Sequence, residues 1–139
     1  MSDKRDWNTH NREVIALFRS NGGKAANGTT PLVLLTTKGA KSGKLHTTPL
    51  NYTMDGDRVI VIASKGGSPT HPDWYRNLVA EPIVTVELGV EKYQARASSA
   101  EGEERQRLYD QQAAKMTYFA TYEKNTERQI PVVILERIP

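Results

Sequence analysis

The stretch Thr36 to Tyr52, TTKGAKSGKLHTTPLNY, constrains the rest of the chain most tightly. An apolar run, Pro31 to Leu35, leads into a short polar loop carrying Lys38, Lys41 and Lys44 with Gly39 and Gly43. A strand-like stretch resumes at Leu45. The loop has no acidic residue, so three ammonium groups and several backbone N–H groups converge with nothing nearby to neutralise them. Glycine lets backbone approach a ligand closely, and consecutive N–H groups in a tight turn form an anion-binding concavity. This predicts a phosphate site; a solvated hairpin turn is the other reading of a Lys-, Gly- and Ser-rich loop. A nucleotide P-loop is excluded by detail. Gly39 and Gly43 are too closely spaced, Leu45 follows Lys44 where Ser or Thr is required, and a strand follows where a helix is required.

With 139 residues the chain is long enough for one domain with its own core. Cysteine is absent, which excludes disulfides, thiolate metal sites and a cysteine nucleophile. No apolar stretch approaches the roughly 20 residues of a membrane span, and no signal-peptide pattern opens the chain, so a cytoplasmic location is expected. The net charge of +3 is too small to argue for nucleic acid. Its concentration in one loop suits a small anionic ligand better than a long polyanion.

Asp6 is placed to cap a helix running to Asn21, with Trp7, Val14, Leu17 and Phe18 at helical spacing and Gly22-Gly23 ending it. The amphipathic pattern fits packing on the domain; it is also compatible with peripheral contact at a membrane surface. Lys24 to Thr30 reads as a flexible approach. Strands are expected at Pro31–Thr37, Leu45–Met54, Arg58–Ser64, Pro82–Leu88, Lys92–Ser98 and Pro131–Arg137, with turns at Asp55-Gly56 and Gly89. A helix is expected from Pro72, as first helical residue, to Val79. Ser98 and Glu101 have capping-box spacing before a helix from Ala100 to Met116, whose inner stripe is Leu108, Gln112 or Ala113, Met116 and Phe119. These elements do not alternate as in a doubly wound sheet. The expected class is mainly β with flanking helices (α+β): a six-stranded antiparallel barrel with helices outside, both glycine loops opening at one end.

The second loop, Ser64-Lys65-Gly66-Gly67, repeats the physics of the first, and His71, Trp74 and Tyr75 are expected on the helix that follows. Trp74 offers a flat face to a ring system or packs in the core. Together the loops and aromatics suit one ligand with an anionic tail and a planar head. Metal catalysis finds no HExxH-like spacing among His10, His46 and His71, and no GxSxG elbow is present. By elimination, a bound organic cofactor is the simplest enzymatic reading. Tyr118 and Tyr122, before the last strand, are placed either to orient a substrate and relay a proton or to cover the core.

Four segments in order carry a resemblance: LLTTKGAKSGKLHTTPLNY at 34–52, VIASKGGSPTHPDWYRNL at 61–78, EPIVTVELG at 81–89 and TERQIPVVILER at 126–137. Over nearly its whole length the chain resembles the deazaflavin-dependent nitroreductase family of actinobacteria, split β-barrel proteins that bind coenzyme F420. The resemblance implies that Lys41, Ser42, Gly43 and Lys44 hold the cofactor's phosphate and anionic tail, with His46, Pro49 and Ala63 also at the cofactor. It implies that Ser64, Lys65, Gly66 and Gly67 meet the tail and the ring edge through backbone N–H groups, while Pro72, Trp74, Tyr75 and Asn77 shape the wall. It further implies hydride transfer to a quinone, an enone or a nitro compound, with Ser64 and Tyr122 supplying or relaying a proton. Departures from the family pattern are Ala40 and His46 where arginines are frequent, Phe119 where drug-activating members carry Tyr, and no proline near Thr117. Fewer fixed charges imply weaker tail binding, or dependence on pH through His46. Phe119 bears on nitroimidazole activation rather than on hydride transfer in general. Flavin mononucleotide in the same barrel, a non-catalytic deazaflavin carrier and a nucleic-acid-binding barrel are the competing readings.

Overall fold

The structure is a computed structural model, describing residues 4–23, 31–67 and 70–139. The approach at 24–30 and positions 68 and 69 of the second glycine loop lie outside the described residues.

Two apolar runs near the middle and end of the chain form the most buried strands. In β4 (Arg58–Ile62), Val59 and Val61 face one cluster of buried side chains while Ile60 and Ile62 face another. In β7 (Val132–Arg137), Val133 and Leu135 join the first cluster and Val132 and Ile134 the second. Alternate residues of a strand point to opposite faces, so a continuous apolar run is what burial on both faces requires. The strands β1 (Leu32–Lys38), β5 (Ile83–Leu88) and β6 (Glu91–Ser99) also contribute to the first cluster, which fills the inside of the curled sheet. The helix α3 (Gly102–Lys115) and a short helix α4 (Tyr118–Lys124) cover the second cluster with Leu108, Tyr109 and Phe119.

The expected strand at Leu45–Met54 is two strands, which makes seven among the described residues. β2 (Leu45–Asn51) pairs with β1, and β3 (Thr53–Asp55) pairs with β4. The sheet order is β2-β1-β5-β6-β7-β4-β3, all antiparallel, so β2 and β3 stand at opposite edges although only Tyr52 separates them. One residue spans only a few ångströms, so the edges must curl together at Tyr52, which packs on the inner cluster. This is a split barrel. Pro49 sits within β2, where an edge strand tolerates the missing N–H.

Other boundaries move for identifiable reasons. Ser98 belongs to β6, paired with Ile134 of β7, so no capping box forms; Glu101 holds the N-cap position without a side-chain bond. Sheet pairing outweighs the local cap. The helix α2 (Asp73–Ala80) starts one residue later than expected, with Pro72 at its N-cap and His71 before it. Nor does α2 lie wholly outside the barrel, because Trp74 and Leu78 join the inner cluster. The third strand ends at Ile62 rather than Ser64, and a 3-10 turn follows at Lys65–Gly67.

The first helix, α1 (Lys4–Ser20), begins before Asp6, which therefore lies inside the helix rather than capping it. The side chain of Trp7 lies outside the described residues. Phe18 is buried, whereas Leu17 is 45% exposed, so only part of the expected stripe packs. Gly22 and Gly23 end α1 with positive φ, and Gly23 lies so close to the Gly89 backbone that no side chain would fit between them. The end of α1 is held to the sheet by Arg19, whose Nε and Nη2 donate to both Glu87 oxygens at 3.0 and 2.8 Å. Asn77 of α2 does the same for the first glycine loop. Its Oδ1 accepts from the Ala40 N–H at 3.0 Å and its Nδ2 donates to Thr37 Oγ1 at 3.2 Å.

Two expectations follow. Hydrogen bonding to Arg19 lowers the Glu87 pKa from its ordinary 4.5. A carboxylate with a depressed folded pKa contributes stability that is complete above the unfolded value and is lost as pH falls through the folded one. Glu87→Gln is therefore expected to lower unfolding free energy at pH 7 by about 1–2 kcal/mol and to flatten the acid side of the stability profile; urea titrations across pH check both. Asn77→Ala is expected to cost about 1–3 kcal/mol and to strip the Ala40 amide of its exchange protection, read by hydrogen exchange.

Candidate functional site

Two adjoining cavities open along β2 and α2. The first, of about 940 Å³, is lined by the β1–β2 loop through Lys41 and Ser42, by His46 of β2, by Arg12 and Ile15 of α1, and by Arg76 of α2. The second, of about 710 Å³, is lined by Pro49, Ile62, Ser64, Lys65, Pro72, Phe119 and Tyr122, among others. Thr48 and Trp74 line both, so the indole stands where the cavities meet. One side carries cationic side chains with a single acid, Asp73; the other is mostly apolar and aromatic with a few polar groups.

Part of the first loop's N–H set is used within the fold: four of the six groups from Gly39 to Lys44 have partners, while those of Lys41 and Ser42 have no acceptor among the described residues. Gly39 N donates to Lys44 O at 2.7 Å and Gly43 N to Gly39 O at 2.9 Å. Lys44 N donates to Ser42 Oγ at 3.2 Å, and Ala40 N is taken by Asn77. The cationic side chains of Lys41, Arg12 and Arg76 line the cavity, with the Ser42 hydroxyl hydrogen still available. Gly43 and Lys44 belong to the exposed turn and do not line the cavity.

The second loop is divided in the same way. Ser64 is buried and lines the second cavity, and its hydroxyl has no partner among the described residues. Lys65 adopts φ 47, the left-handed region that a non-glycine residue seldom occupies; its Nζ donates to Thr70 Oγ1 at 3.2 Å. The Gly67 N–H is used within the turn, on Ser64 O at 3.0 Å, and does not face a ligand. A Cβ on Gly67 would fall 3.0 Å from the Tyr122 carbonyl oxygen, so this glycine permits the turn to meet α4. Whether Gly66 lines the cavity lies outside what is described.

Of the remaining candidates, Ala63 is fully buried in the inner cluster, its N–H on Pro131 O. Tyr75 stacks near His71 with centroids 5.0 Å apart and shares a hydrogen bond with Ser99, away from both cavities. Asn77 serves the first cavity rather than the wall beside the second. Tyr122 lines the second cavity with its hydroxyl unpartnered among the described residues. Tyr118, which also lines it, donates to Asn51 Oδ1 at 2.7 Å, and burial, followed by Tyr122, raises its pKa. Met116 packs in the core with Phe119, and Phe119 also faces the second cavity.

Sequence reasoning missed Arg12, Arg76 and Arg128. Arg76 lies two residues from Trp74, close enough to have been considered. Arg12 depends on where α1 docks, and Arg128 on contacts 57 to 65 residues away; neither has a local signal.

No helix among the described residues is long and apolar enough to cross a membrane, and no group of potential metal ligands is found among them. The F420H(2)-dependent quinone reductase family matches residues 10–137. An F420H(2)-dependent quinone reductase of Mycobacterium tuberculosis is 35% identical over 134 residues, covering 88% of this chain and 86% of that protein. An F420-H2 dependent reductase of known structure superposes with a TM-score of 0.71 at 41% identity, over 76% of this chain and 94% of its own. A heme storage protein from Vibrio cholerae, at 15% identity and a TM-score of 0.57, covers 90% of this chain and 88% of its own and shares the fold alone. A curled antiparallel sheet, two adjoining cavities and this extent of matching sequence lead to one assignment: the chain belongs to the F420H(2)-dependent quinone reductase family.

Proposed function

We propose that this chain reduces quinones with reduced coenzyme F420, holding the cofactor's anionic tail in the first cavity and its planar ring in the second. The observation that carries the reading is the pair of cavities meeting at Trp74, one lined by cationic side chains and the other by aromatic and apolar ones. The residues present fit the cofactor. Lys41, Arg12, Arg76 and the Ser42 hydroxyl would hold the phosphate and carboxylates, with His46 beside them. Pro49, Trp74 and Phe119 would flank the ring, and Ser64 and Lys65 would meet its polar edge.

When bound, the reduced deazaflavin supplies a hydride, and a quinone that accepts it needs one proton to become a hydroquinone. The Ser64 and Tyr122 hydroxyls line the same cavity without competing partners among the described residues, so each is placed to deliver or relay that proton. The apolar walls exclude water and fix the acceptor's orientation. Enones and nitroaromatic compounds are electron-poor acceptors of the same kind and belong to the same proposal. So does a peripheral membrane contact through exposed residues of α1 such as Leu17, read by cosedimentation with vesicles.

Fluorescence titration with coenzyme F420 and with flavin mononucleotide separates the cofactors; binding of the flavin alone contradicts the proposal. Anaerobic mixing of the reduced cofactor with menadione separates an enzyme from a carrier, for which binding occurs without oxidation above background. Lys41→Ala combined with Arg76→Ala is expected to weaken cofactor binding about tenfold or more, since charge-assisted contacts are worth about 1.5–3 kcal/mol each. Lys44→Ala, off the lining, is expected to stay close to the parent. Tyr122→Phe is expected to lower turnover while leaving cofactor affinity unchanged; an unaltered rate removes the phenol from the proton path.

A further inference from the structure

Arg128 lies beyond the lining of both cavities, yet it contacts three groups beside the second. Its Nη2 donates to the Ser64 carbonyl at 2.6 Å, and its Nη1 reaches the Ala63 carbonyl at 3.2 Å and His71 Nδ1 at 3.0 Å. Arginine has no acceptor, so Nδ1 of His71 must accept, which requires that nitrogen to be unprotonated. Burial, then the charges of Arg128 and Arg76, lowers the His71 pKa in keeping with that role.

The consequence lies on the far side of the two peptide groups. No peptide bond among the described residues is cis, and in a planar trans peptide the N–H points opposite to the C=O. The Ala63 carbonyl shares its peptide with the Ser64 N–H, and the Ser64 carbonyl shares its own with the Lys65 N–H. Fixing both carbonyls on the Arg128 side therefore turns both N–H groups away from it. Neither N–H has an acceptor among the described residues, and Ser64 and Lys65 both line the second cavity. The left-handed φ of 47 at Lys65 belongs to the kind of backbone that makes successive N–H groups converge. A cation on the carbonyl side also polarises each peptide and makes its N–H a stronger donor.

We propose that Arg128 is a positioning residue that aims the Ser64 and Lys65 N–H groups into the second cavity as a paired donor for the acceptor edge of the bound ring. His71 Nδ1 accepts from the same guanidinium and helps to hold it. This inference rests on the reading of the second cavity as the ring's place.

The test is an amide-shift titration of nitrogen-15-labelled protein with oxidised coenzyme F420. In the parent, the Ser64 and Lys65 amide protons are expected to move downfield at saturation. In Arg128→Met, both movements are expected to shrink and affinity to fall about tenfold, while amides around Lys41 still respond. Arg128→Lys, able to reach one carbonyl but not both, is expected to be intermediate. Guanidinium ion at low concentration is expected to restore affinity in Arg128→Ala. Parent-like shifts and affinity in Arg128→Met overturn the proposal. If that variant does not fold, the parent alone decides: unmoved Ser64 and Lys65 amides in a saturated parent overturn it too. Failure of the parent to bind the cofactor is a different outcome, overturning the function proposed above and this inference with it.

Discussion

A one-residue link between two edge strands sets the geometry on which the rest depends. β2 and β3 pair with different neighbours at opposite ends of the strand order, and Tyr52 alone connects them. The sheet has no freedom to lie flat. Curling it brings Thr48 and Pro49 of β2 beside Ile62 at the end of β4, and with it the turn that carries Ser64 and Lys65. The second cavity is the space left where those edges meet without a hydrogen-bonded ladder. The missing ladder is thus the opening through which a ring would enter.

Helix α2 gives the opening its two-part character. Trp74 and Leu78 anchor the helix in the inner cluster, which fixes the indole between the cavities. Arg76 and Asn77 then necessarily serve the first cavity, Arg76 by adding charge and Asn77 by taking the Ala40 N–H and holding the lysine loop against the helix. On the other side, Arg128 and His71 hold the turn after β4. Asn77 and Arg128 thus fix backbone groups of the two turns beside the cavities, as expected where function depends on a positioned backbone.

Much of this was legible in the sequence because it rests on local pattern. The RVIVIAS and PVVIL runs announced strands, and they form β4 and β7, which the structure buries on both faces. The inner stripe of Leu108, Gln112 and Met116 followed from helical spacing. What escaped depends on distant partners. Nothing between Leu45 and Met54 marks Tyr52 as the crossing point, since the break comes from β4 competing with β1 for the same stretch. Ser98 and Glu101 had the spacing of a cap, but β7 claimed Ser98. The short helix α4, YFATYEK, has no side-chain bond at its N-cap and exists because Phe119 finds a buried place. The lysine loop looked like an anion nest; four of its N–H groups are used within the fold instead, one of them on a side chain 37 residues away. Those of Lys41 and Ser42 remain without an acceptor among the described residues.

The central claim is that one ligand lies across Trp74 with its charge on one side and its ring on the other. A crystal structure of the complex with oxidised coenzyme F420 tests it most directly. Phosphate density is expected beside Lys41 and Arg76, and planar density flanked by Pro49, Trp74 and Phe119. Phosphate bound at Lys65, or a ring lodged among the cationic side chains, would contradict it.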